Sequence, residues 1–243
     1  LSPSSAASDV YKRQEEYCLD VIGGAIDAGT IGMIGDTGDA SCYTAGLEAI
    51  KANGGMGVAI IKPRSNDEII KRIRLAEEAG AIAVGVDVDG AGLITMKLFG
   101  QPVGPKSFAE LKELAASTKL PFIVKGILSV DEAKLCVEAG VDTIVVSNHG
   151  GRVLNETLAP CEVIEDIVKA VGDKINVLVD GSVREGVDIL KYMALGAKGV
   201  LVGRPLTWGS IGGRQEGVKT IFENLKGQLT HCLLYTSDAA DDG

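Results

Sequence analysis

One phrase occurs three times in this chain: a helix end closed by glycine, followed directly by a short apolar run. The copies begin at Ala79-Gly80, Ala139-Gly140 and Leu195-Gly196, and they continue as AIAVGVD, VDTIVVS and AKGVLVG. Glycine commonly ends helices because it adopts the left-handed conformation without a steric penalty. The repeat therefore predicts alternating helices and buried strands, with each strand entered from the end of a helix.

Further apolar runs lie between the copies, so the repeating unit is about half the interval between them, as a strand–helix unit requires. Seven strands are predicted in total: Thr30–Ile34, Met56–Ile61, Ile82–Val88, Pro121–Val124, Thr143–Val146, Asn176–Val179 and Gly199–Val202. Their continuous Val and Ile content indicates burial on both faces. This is typical of a parallel sheet covered by helices.

Ser-x-x-Glu pairs predict where helices begin after these strands. In such a capping box, the Ser hydroxyl and the Glu carboxylate satisfy backbone N–H groups of the first helical turn. The pairs are Ser65/Glu68, Ser107/Glu110, Ser129/Glu132 and Ser182/Glu185. The helix assignments therefore rest on capping signals as well as on periodicity.

The two ends of the chain encode one oligonucleotide in opposite orientations. When Ser4–Gln14 (SSAASDVYKRQ) is back-translated, its reverse complement, read one base on, encodes CLLYTSDAAD, the sequence of Cys232–Asp241. A sequencing-library adapter has this property. We therefore expect residues 1–14 and 232–243 to be non-native, and residues 15–231 to be the barrel fragment.

The strand pattern predicts an α/β fold, a (β/α)8 TIM barrel that lacks its first strand. A closed barrel of this kind has eight strands, and the expected adapter segment stands where the first one belongs. The alternative is a doubly wound open sheet, which requires a Gly-rich turn after its first strand. Gly35-Asp36-Thr37-Gly38 resembles such a turn only loosely.

Composition restricts the partners of such a fold. The net charge is -9 and aromatic residues make up 4% of the chain, which disfavours a nucleic-acid surface with basic stripes and stacking rings. No apolar run has the length of a membrane span, and the five cysteines show no paired spacing. We expect a small-molecule partner, no nucleic-acid or membrane partner, and a reducing cytoplasmic location.

Polar residues follow the ends of the predicted strands, where the active site of a β/α barrel lies. They are Gly35–Gly38, Lys62, Asp87, Asp89, Lys125-Gly126, Ser147–Arg152 (SNHGGR), Asp180–Arg184 (DGSVR) and Gly203-Arg204. The last two loops combine glycines, cations and a helix start predicted at Ser182, which together favour a phosphate site. The alternative is an ordinary capped helix start followed by a strand end.

His149 is the candidate base of this site. It ends a strand beside two glycines, and an imidazole accepts a proton near neutral pH. Arg152, three residues further on, can bind a carboxylate through two parallel hydrogen bonds. Lys125, within the apolar PFIVKG segment, is expected to face the barrel mouth rather than to extend along the surface. A structural role for a lone histidine is the alternative.

The motifs SNHGGR, VKG, DGSVREG and GRP together resemble the FMN-dependent 2-hydroxy acid oxidase and dehydrogenase family, which includes lactate and glycolate oxidases. The similarity extends from about Ile31 to Lys226. The resemblance implies a (β/α)8 barrel that holds FMN at the carboxyl ends of its strands. Members of the family are often tetramers, so the resemblance also implies a homo-oligomer.

The resemblance implies roles for individual residues. His149 would be the catalytic base, Asp89 would orient it and stabilise its protonated form, and Arg152 would hold the substrate carboxylate. Lys125 would stabilise the reduced flavin, and Ser147 would touch the flavin. The ribityl and phosphate groups would be bound by Asp180, Gly181, Ser182, Arg184, Gly203 and Arg204.

Departures from the family pattern keep three functions open. The family's Gln-x-Tyr pair aligns with Ala59 and Ile61, its second substrate arginine falls near Met96, and its usual Thr is replaced by Asp87. The leading function is oxidation of a small 2-hydroxy acid by an FMN enzyme. The alternatives are an FMN barrel without net oxidation, such as an isomerase of isoprenoid diphosphates, and a non-catalytic flavin-binding barrel.

Overall fold

The computed structural model describes residues 14–236, and within them seven strands form one parallel sheet. The strands are β1 Gly32–Gly35, β2 Gly57–Ile61, β3 Ala83–Asp87, β4 Phe122–Ile127, β5 Thr143–Val146, β6 Asn176–Val179 and β7 Gly199–Val200. Their order in space is their order in sequence. This confirms the predicted β/α-barrel fold with seven strands, and the doubly wound alternative is wrong because no reversal of strand order occurs.

The helices alternate with the strands. They are α1 Gln14–Asp27, α2 Ala40–Ala52, α3 Asn66–Glu78, α4 Ile94–Leu98, α5 Phe108–Ala116, α6 Val130–Glu138, α7 Pro160–Val171, α8 Gly186–Ala194 and α9 Arg204–Thr236. Single 3-10 turns at Val88–Gly92 and His149–Gly151 follow β3 and β5. Helix α9 is interrupted at Gly213 and Arg214, whose backbone dihedrals are not helical.

The predicted helix ends are confirmed. Gly80, Gly140 and Gly196 have φ values of 81°, 82° and 97°, the left-handed conformation that closes a helix before a strand. Capping boxes form at Ser107/Glu110 and Ser129/Glu132, where each Ser accepts from the Glu backbone N–H. These contacts fix where α5 and α6 begin.

Two of the four expected capping boxes are absent. Ser65 precedes α3, but its side chain makes no capping hydrogen bond. Ser182 is not at a helix start at all, because its φ of 55° is left-handed, whereas an N-cap residue has an extended backbone. The helix begins instead at Gly186, where the Asp188 carboxylate accepts from the backbone N–H groups of Arg184 and Glu185.

Both faces of the sheet are buried, as the Val and Ile content predicts. Outward residues such as Val84, Val124 and Ile144 pack against the helices in the main core. Inward residues form a smaller cluster: Val58, Ile60, Ala83, Ile123 and Val145. Burial of each Val or Ile side chain contributes about 1.5–3 kcal/mol to folding, so both layers stabilise the sheet.

The helix before the first strand of the described sheet packs against the helix after the last strand. Val21 of α1 packs with Leu206 and Val218 of α9. The Ser210 hydroxyl donates to Asp20 at 2.6 Å, beside this contact. Helix α9 continues beyond residue 231, and the predicted limits of the barrel at residues 15 and 231 stay predictions. Among residues 14–236, no helix has the length and apolarity needed to cross a bilayer.

Candidate active site

A cleft of about 1080 Å³ runs along the inner face of the sheet to its carboxyl edge. Its wall is apolar where Val58, Ile60 and Ile123 face inward. At the carboxyl edge it is lined by Asp36, Lys62, Asp87, Lys125, His149, Arg152, Asp180 and Gly203. Most polar strand ends predicted from the sequence therefore converge on one space.

The loop after β5 directs His149 into this cleft. His149, Gly150 and Gly151 are all left-handed, with φ values of 56°, 66° and 75°. That conformation costs a non-glycine residue about 1–2 kcal/mol. It is held locally, because the Ser147 hydroxyl accepts from the His149 backbone N–H at 3.1 Å and the Asn148 side chain accepts from Gly150 N–H. Strain retained in this way is typical of functional positions.

Two carboxylates face the His149 ring. Its Nδ1 lies 3.2 Å from Asp89 Oδ1 and 3.4 Å from Asp87 Oδ2. Asp89 reaches this position because Gly126 of β4, with φ 101°, has no side chain; a Cβ there would lie 2.7 Å from Asp89 Cβ. A ring held at Nδ1 by carboxylates presents Nε2 for proton exchange. The structure thus places Asp89 beside His149, as the predicted orienting role requires.

The cluster favours a proton on the imidazole. Burial would lower the pKa of His149, but hydrogen bonds to Asp87 and Asp89 and the charge of Asp87 outweigh it, so the pKa is raised above its usual value. Burial would raise the pKa of Asp87, yet bonds with His149 and Asp89 and the charge of Lys62 hold it far below the usual range. Burial is the largest cause that raises the pKa of Asp89, and the nearby Asp87 raises it further against the opposing hydrogen bond with His149.

Lys62 is an additional member of this cluster. Its ammonium lies 2.5 Å from Asp87 Oδ2, and both side chains are buried. Asp36 accepts from the Lys62 backbone N–H at 3.2 Å and from Arg64 Nε at 2.8 Å, which fixes the end of β2. The sequence showed Lys62 and Asp87 at strand ends but assigned them no role, and it missed Arg64. The signal was available, because Lys62-Pro63-Arg64 directly follows the apolar run of β2.

The pleat of β2 turns the two residues aligned with the family's Gln-x-Tyr pair away from the cleft. Ala59 and Ile61 are fully buried among the helices, so they face away from the cleft. Val58, Ile60 and Lys62 line the cleft instead. Because successive strand residues point to opposite faces, a displacement of one residue changes the face of every side chain. The cleft-facing residues of β2 are therefore two aliphatic residues, followed by a lysine at the strand end.

A second polar cluster spans β4, β5 and β6. Lys125 Nζ donates to the Ser147 hydroxyl at 2.6 Å and forms an ion pair with Asp180 Oδ2 at 2.8 Å. The second oxygen of Asp180 is buried without a hydrogen-bond partner among the described residues. A buried acceptor of this kind is costly unless a ligand donates to it. Lys125 faces the barrel mouth, as predicted.

The loops after β6 and β7 form the rest of the edge. Gly181 and Ser182 are left-handed, and the Tyr192 hydroxyl donates to the Gly181 carbonyl at 3.1 Å. Gly203 lines the cleft, and helix α9 begins directly after it at Arg204. No helix begins at Ser182, and the helix start that adjoins the cleft is that of α9.

The two arginines of these loops differ. Arg184 stacks its guanidinium 5.3 Å from the Trp208 ring centre and donates to the Val183 carbonyl, so it does not line the described cleft. Arg204 Nη2 lies 3.8 Å from the point where a Cβ at Gly150 would stand. Arg204 is thus the cation of this pair that approaches the His149 loop.

Arg152 and an apolar wall complete the opening. The Arg152 Nε donates to the His149 carbonyl at 3.2 Å, which holds the guanidinium beside the base. The segment around α4 adds an apolar part to the cleft lining, formed by Leu93, Met96 and Phe99. Met96, aligned with a second substrate arginine of the family, is fully buried.

These features define a β/α barrel whose carboxyl edge holds a histidine–carboxylate pair and glycine-rich loops. A profile of the family described as FMN-dependent dehydrogenase matches residues 95–237, more than half of the chain. The chain belongs to this family, and the family's cofactor is FMN. The resemblance recognised in its motifs is thereby confirmed.

Known relatives and solved structures agree with this assignment. The chain is 45% identical over 139 residues to 2-hydroxyacid oxidase 1 of Mus musculus, covering 57% of this chain and 37% of that protein. It is 43% identical over 140 residues to L-lactate oxidase of Nostoc sp., covering 57% and 38%. The crystal structure of mandelate oxidase superposes with a TM-score of 0.80 at 32% identity, covering 89% of this chain and 68% of that one. The matched segment spans little more than a third of these two curated relatives.

Proposed function

We propose that this chain carries the cofactor and proton-transfer sites of an FMN-dependent enzyme that oxidises a small 2-hydroxy acid to the 2-oxo acid. The observation that carries the proposal is the contact of His149 with Asp87 and Asp89, beside Arg152 and at the same edge as Lys125. The names of the relatives above, 2-hydroxyacid oxidase, L-lactate oxidase and mandelate oxidase, support this substrate class.

The residues at the edge fit FMN. The unpartnered oxygen of Asp180 can accept from a ribityl hydroxyl, and Lys125 beside it can hold negative charge on the flavin. Gly203 and the helix that starts at Arg204 offer N–H groups and a cation to a phosphate. We propose that Ser147 contacts the flavin, that Gly181, Ser182 and Arg184 form the far side of the phosphate loops, and that bound FMN supplies the acceptor for two electrons.

The chain's own residues would bind the substrate and move a proton. Arg152 would hold the carboxylate with two hydrogen bonds and thereby place the hydroxyl-bearing carbon next to His149. Conversion of CH–OH to C=O releases two electrons and two protons. His149 would take one proton, from the hydroxyl or the α-carbon, at Nε2, and Asp87 and Asp89 would stabilise the resulting imidazolium. The second proton would go with the two electrons to the acceptor that bound FMN supplies.

The test is anaerobic mixing of the FMN-loaded protein with glycolate, lactate or mandelate. We expect the flavin absorbance to bleach with at least one acid, and the matching 2-oxo acid to form in equal amount. Bleaching by none of them would contradict the proposal. Turnover of an isoprenoid diphosphate without net oxidation would then identify the isomerase alternative, and FMN binding without either reaction would identify a binding barrel.

We also propose a reducing, cytoplasmic environment and a homo-oligomer, a tetramer by resemblance to the family. The five cysteines all lie within residues 14–236 and form no disulfide with one another, a state that a reducing environment would preserve. Sedimentation of the FMN-loaded protein would measure its oligomeric state directly.

A further inference from the structure

Lys62 occupies an unusual position for a lysine. Its side chain is 10% exposed, and its ammonium contacts Asp87 Oδ2 at 2.5 Å. Gly90 leaves room for the aliphatic part of this side chain, since a Cβ at Gly90 would lie 3.1 Å from Lys62 Cδ. Desolvation of a lysine is costly, and an exposed surface lysine would avoid that cost. The chain therefore maintains this cation beneath the candidate base.

Asp87 is shared between Lys62 and His149. The same oxygen, Oδ2, lies 2.5 Å from Lys62 Nζ and 3.4 Å from His149 Nδ1. The other oxygen of Asp87 is buried without a hydrogen-bond partner among the described residues. Because Oδ2 interacts with the ammonium of Lys62, it stabilises the imidazolium of His149 less than an unpaired carboxylate would.

We propose that Lys62 is a positioning residue that limits how strongly His149 holds its proton, by sharing the carboxylate of Asp87 with it. Its consequence for turnover rests on the proposed function, whereas the proton affinity of His149 does not. Lys62 needs no contact with substrate or flavin for this role.

The charges around His149 explain the direction of the effect. With neutral His149, the cluster of Lys62, Asp87 and Asp89 carries one excess negative charge, which a proton on His149 neutralises. Without Lys62 the cluster carries two, so the proton is held more strongly. The other charged groups at this edge are Asp36 with its ion-pair partners Arg64 and Arg72, the pair formed by Lys125 and Asp180, and the cations Arg152 and Arg204. They are present with or without Lys62.

The base must release its proton between turnovers. Two carboxylates beside one imidazole favour its protonated form, and a protonated imidazole cannot act as a base. Lys62 offsets part of this attraction while Asp89 retains its orienting contact at 3.2 Å. The cluster can then hold the ring in place without trapping the proton.

The experiment is an NMR titration of the imidazole nitrogens in the full chain without flavin. The chain contains two histidines, His149 and His231, so assignment requires a single His231→Gln variant. We expect Lys62→Met to raise the titration midpoint of His149 by about one pH unit, the usual effect of losing a nearby charge. Lys62→Arg should keep it within a few tenths of a unit of wild type, and His231 should not move in either variant.

An unchanged or lowered midpoint in Lys62→Met would overturn the proposal. The route through Asp87 is tested by adding Lys62→Met to Asp87→Asn, where the removal of Lys62 should shift His149 much less than it does alone. An equal shift in both backgrounds would show a direct effect of the ammonium and would also refute the shared carboxylate.

Wild type supplies a measurement that does not depend on folding of a charge-deleted variant. If Asp87 is shared, the Nζ resonance of Lys62, assigned through Lys62→Arg, should show an inflection at the His149 midpoint. Absence of that inflection contradicts the proposal even when Lys62→Met fails to fold. Neither measurement involves substrate, so failure here is distinct from a failure of hydroxy acids to bleach the flavin.

Discussion

Two regions at the same edge of the sheet are built in opposite ways. The proton-transfer cluster, formed by Lys62, Asp87, Asp89 and His149, consists of side chains that are at most 15% exposed, and their contacting polar atoms lie 2.5–3.4 Å apart. The phosphate loops, residues 180–184 and 203–204, rely on left-handed backbone and a helix start, and Ser182, Gly203 and Arg204 are exposed. The first region consists of side chains that contact one another, whereas the second presents an exposed glycine, a helix start and a cation to a ligand.

The difference follows from the tasks proposed for the two regions. A base must have its orientation and proton affinity set before substrate arrives, so its partners have to be part of the chain. A phosphate brings its own charge and is bound well by backbone N–H groups that have no other partner. Substitutions in the cluster should therefore change rates and pH dependence, and substitutions in the loops should change cofactor affinity.

The largest expected effect breaks the proton-transfer cluster. In His149→Gln, flavin reduction by hydroxy acid should slow by about 10²- to 10⁴-fold, the usual contribution of a positioned base. FMN affinity should stay close to wild type, because the phosphate loops are untouched. Anaerobic stopped-flow and flavin titration measure the two quantities. His231→Gln is the matched control, and equal reduction rates in the two variants would show that His149 is not the base.

The next effect breaks the phosphate loops. Arg204→Gln should weaken FMN binding about tenfold to hundredfold, since a hydrogen bond to a charged group contributes about 1.5–3 kcal/mol. Riboflavin, which lacks the phosphate, should bind equally to both proteins. Calorimetric titration with the two flavins gives the comparison, with Lys191→Gln on the exposed face of α8 as control. Loss of riboflavin affinity as well would place Arg204 against a different part of the ligand.

A smaller effect distinguishes the regions by pH. The raised pKa of His149 means that flavin reduction should increase with pH as the imidazole loses its proton, at a pH above the ordinary pKa of histidine. Asp89→Asn removes one of the groups that raise this pKa, so the acid limb should move to lower pH by about one unit. The FMN dissociation constant should keep its wild-type pH profile. An acid limb unchanged in Asp89→Asn would separate Asp89 from the titrating group.

The same pKa has a consequence for stability. A histidine whose pKa is higher in the folded state stabilises the fold when it is protonated. Its contribution is therefore complete below the unfolded-state pKa, and it is lost as pH rises through the higher folded-state value. In Asp89→Asn, this part of the pH dependence of unfolding should shrink in parallel with the shift in the rate profile.

The two regions also differ in how well the sequence predicted them. Strands and their polar ends were readable, because a parallel sheet brings all carboxyl ends to one edge, and this placed Lys125, His149 and Asp180 correctly at the cleft. The pairing of Lys62 with Asp87 was not readable, since it depends on which face of β2 points inward. For the same reason the sequence could not show that Ala59 and Ile61, aligned with the family's Gln-x-Tyr pair, face the helices.

The loop after β6 shows a different limit. Ser182/Glu185 has the spacing of a capping box, as Ser129/Glu132 does, and spacing alone cannot distinguish them. Ser129 has an extended backbone with φ -135°, whereas Ser182 is left-handed, and only the extended conformation allows a Ser to cap. Long-range contacts decide the outcome: Tyr192 from α8 holds the Gly181 carbonyl, and the helix starts four residues later than Ser182.

The smallest expected effect compares these two serines directly. Ser129→Ala should lower the free energy of unfolding by about 1 kcal/mol, because the hydroxyl accepts from Glu132 N–H at 3.2 Å and that cap would be lost. Ser182→Ala loses no cap and should change stability less. Ser182→Gly should stabilise the chain by about 0.5 kcal/mol, since glycine removes the left-handed strain at some entropic cost. Urea unfolding of the three variants measures these differences. Equal losses in the two alanine variants would mean that Ser182 caps a helix as Ser129 does. The loop after β6 would then depend on a side-chain hydrogen bond and not on its backbone conformation.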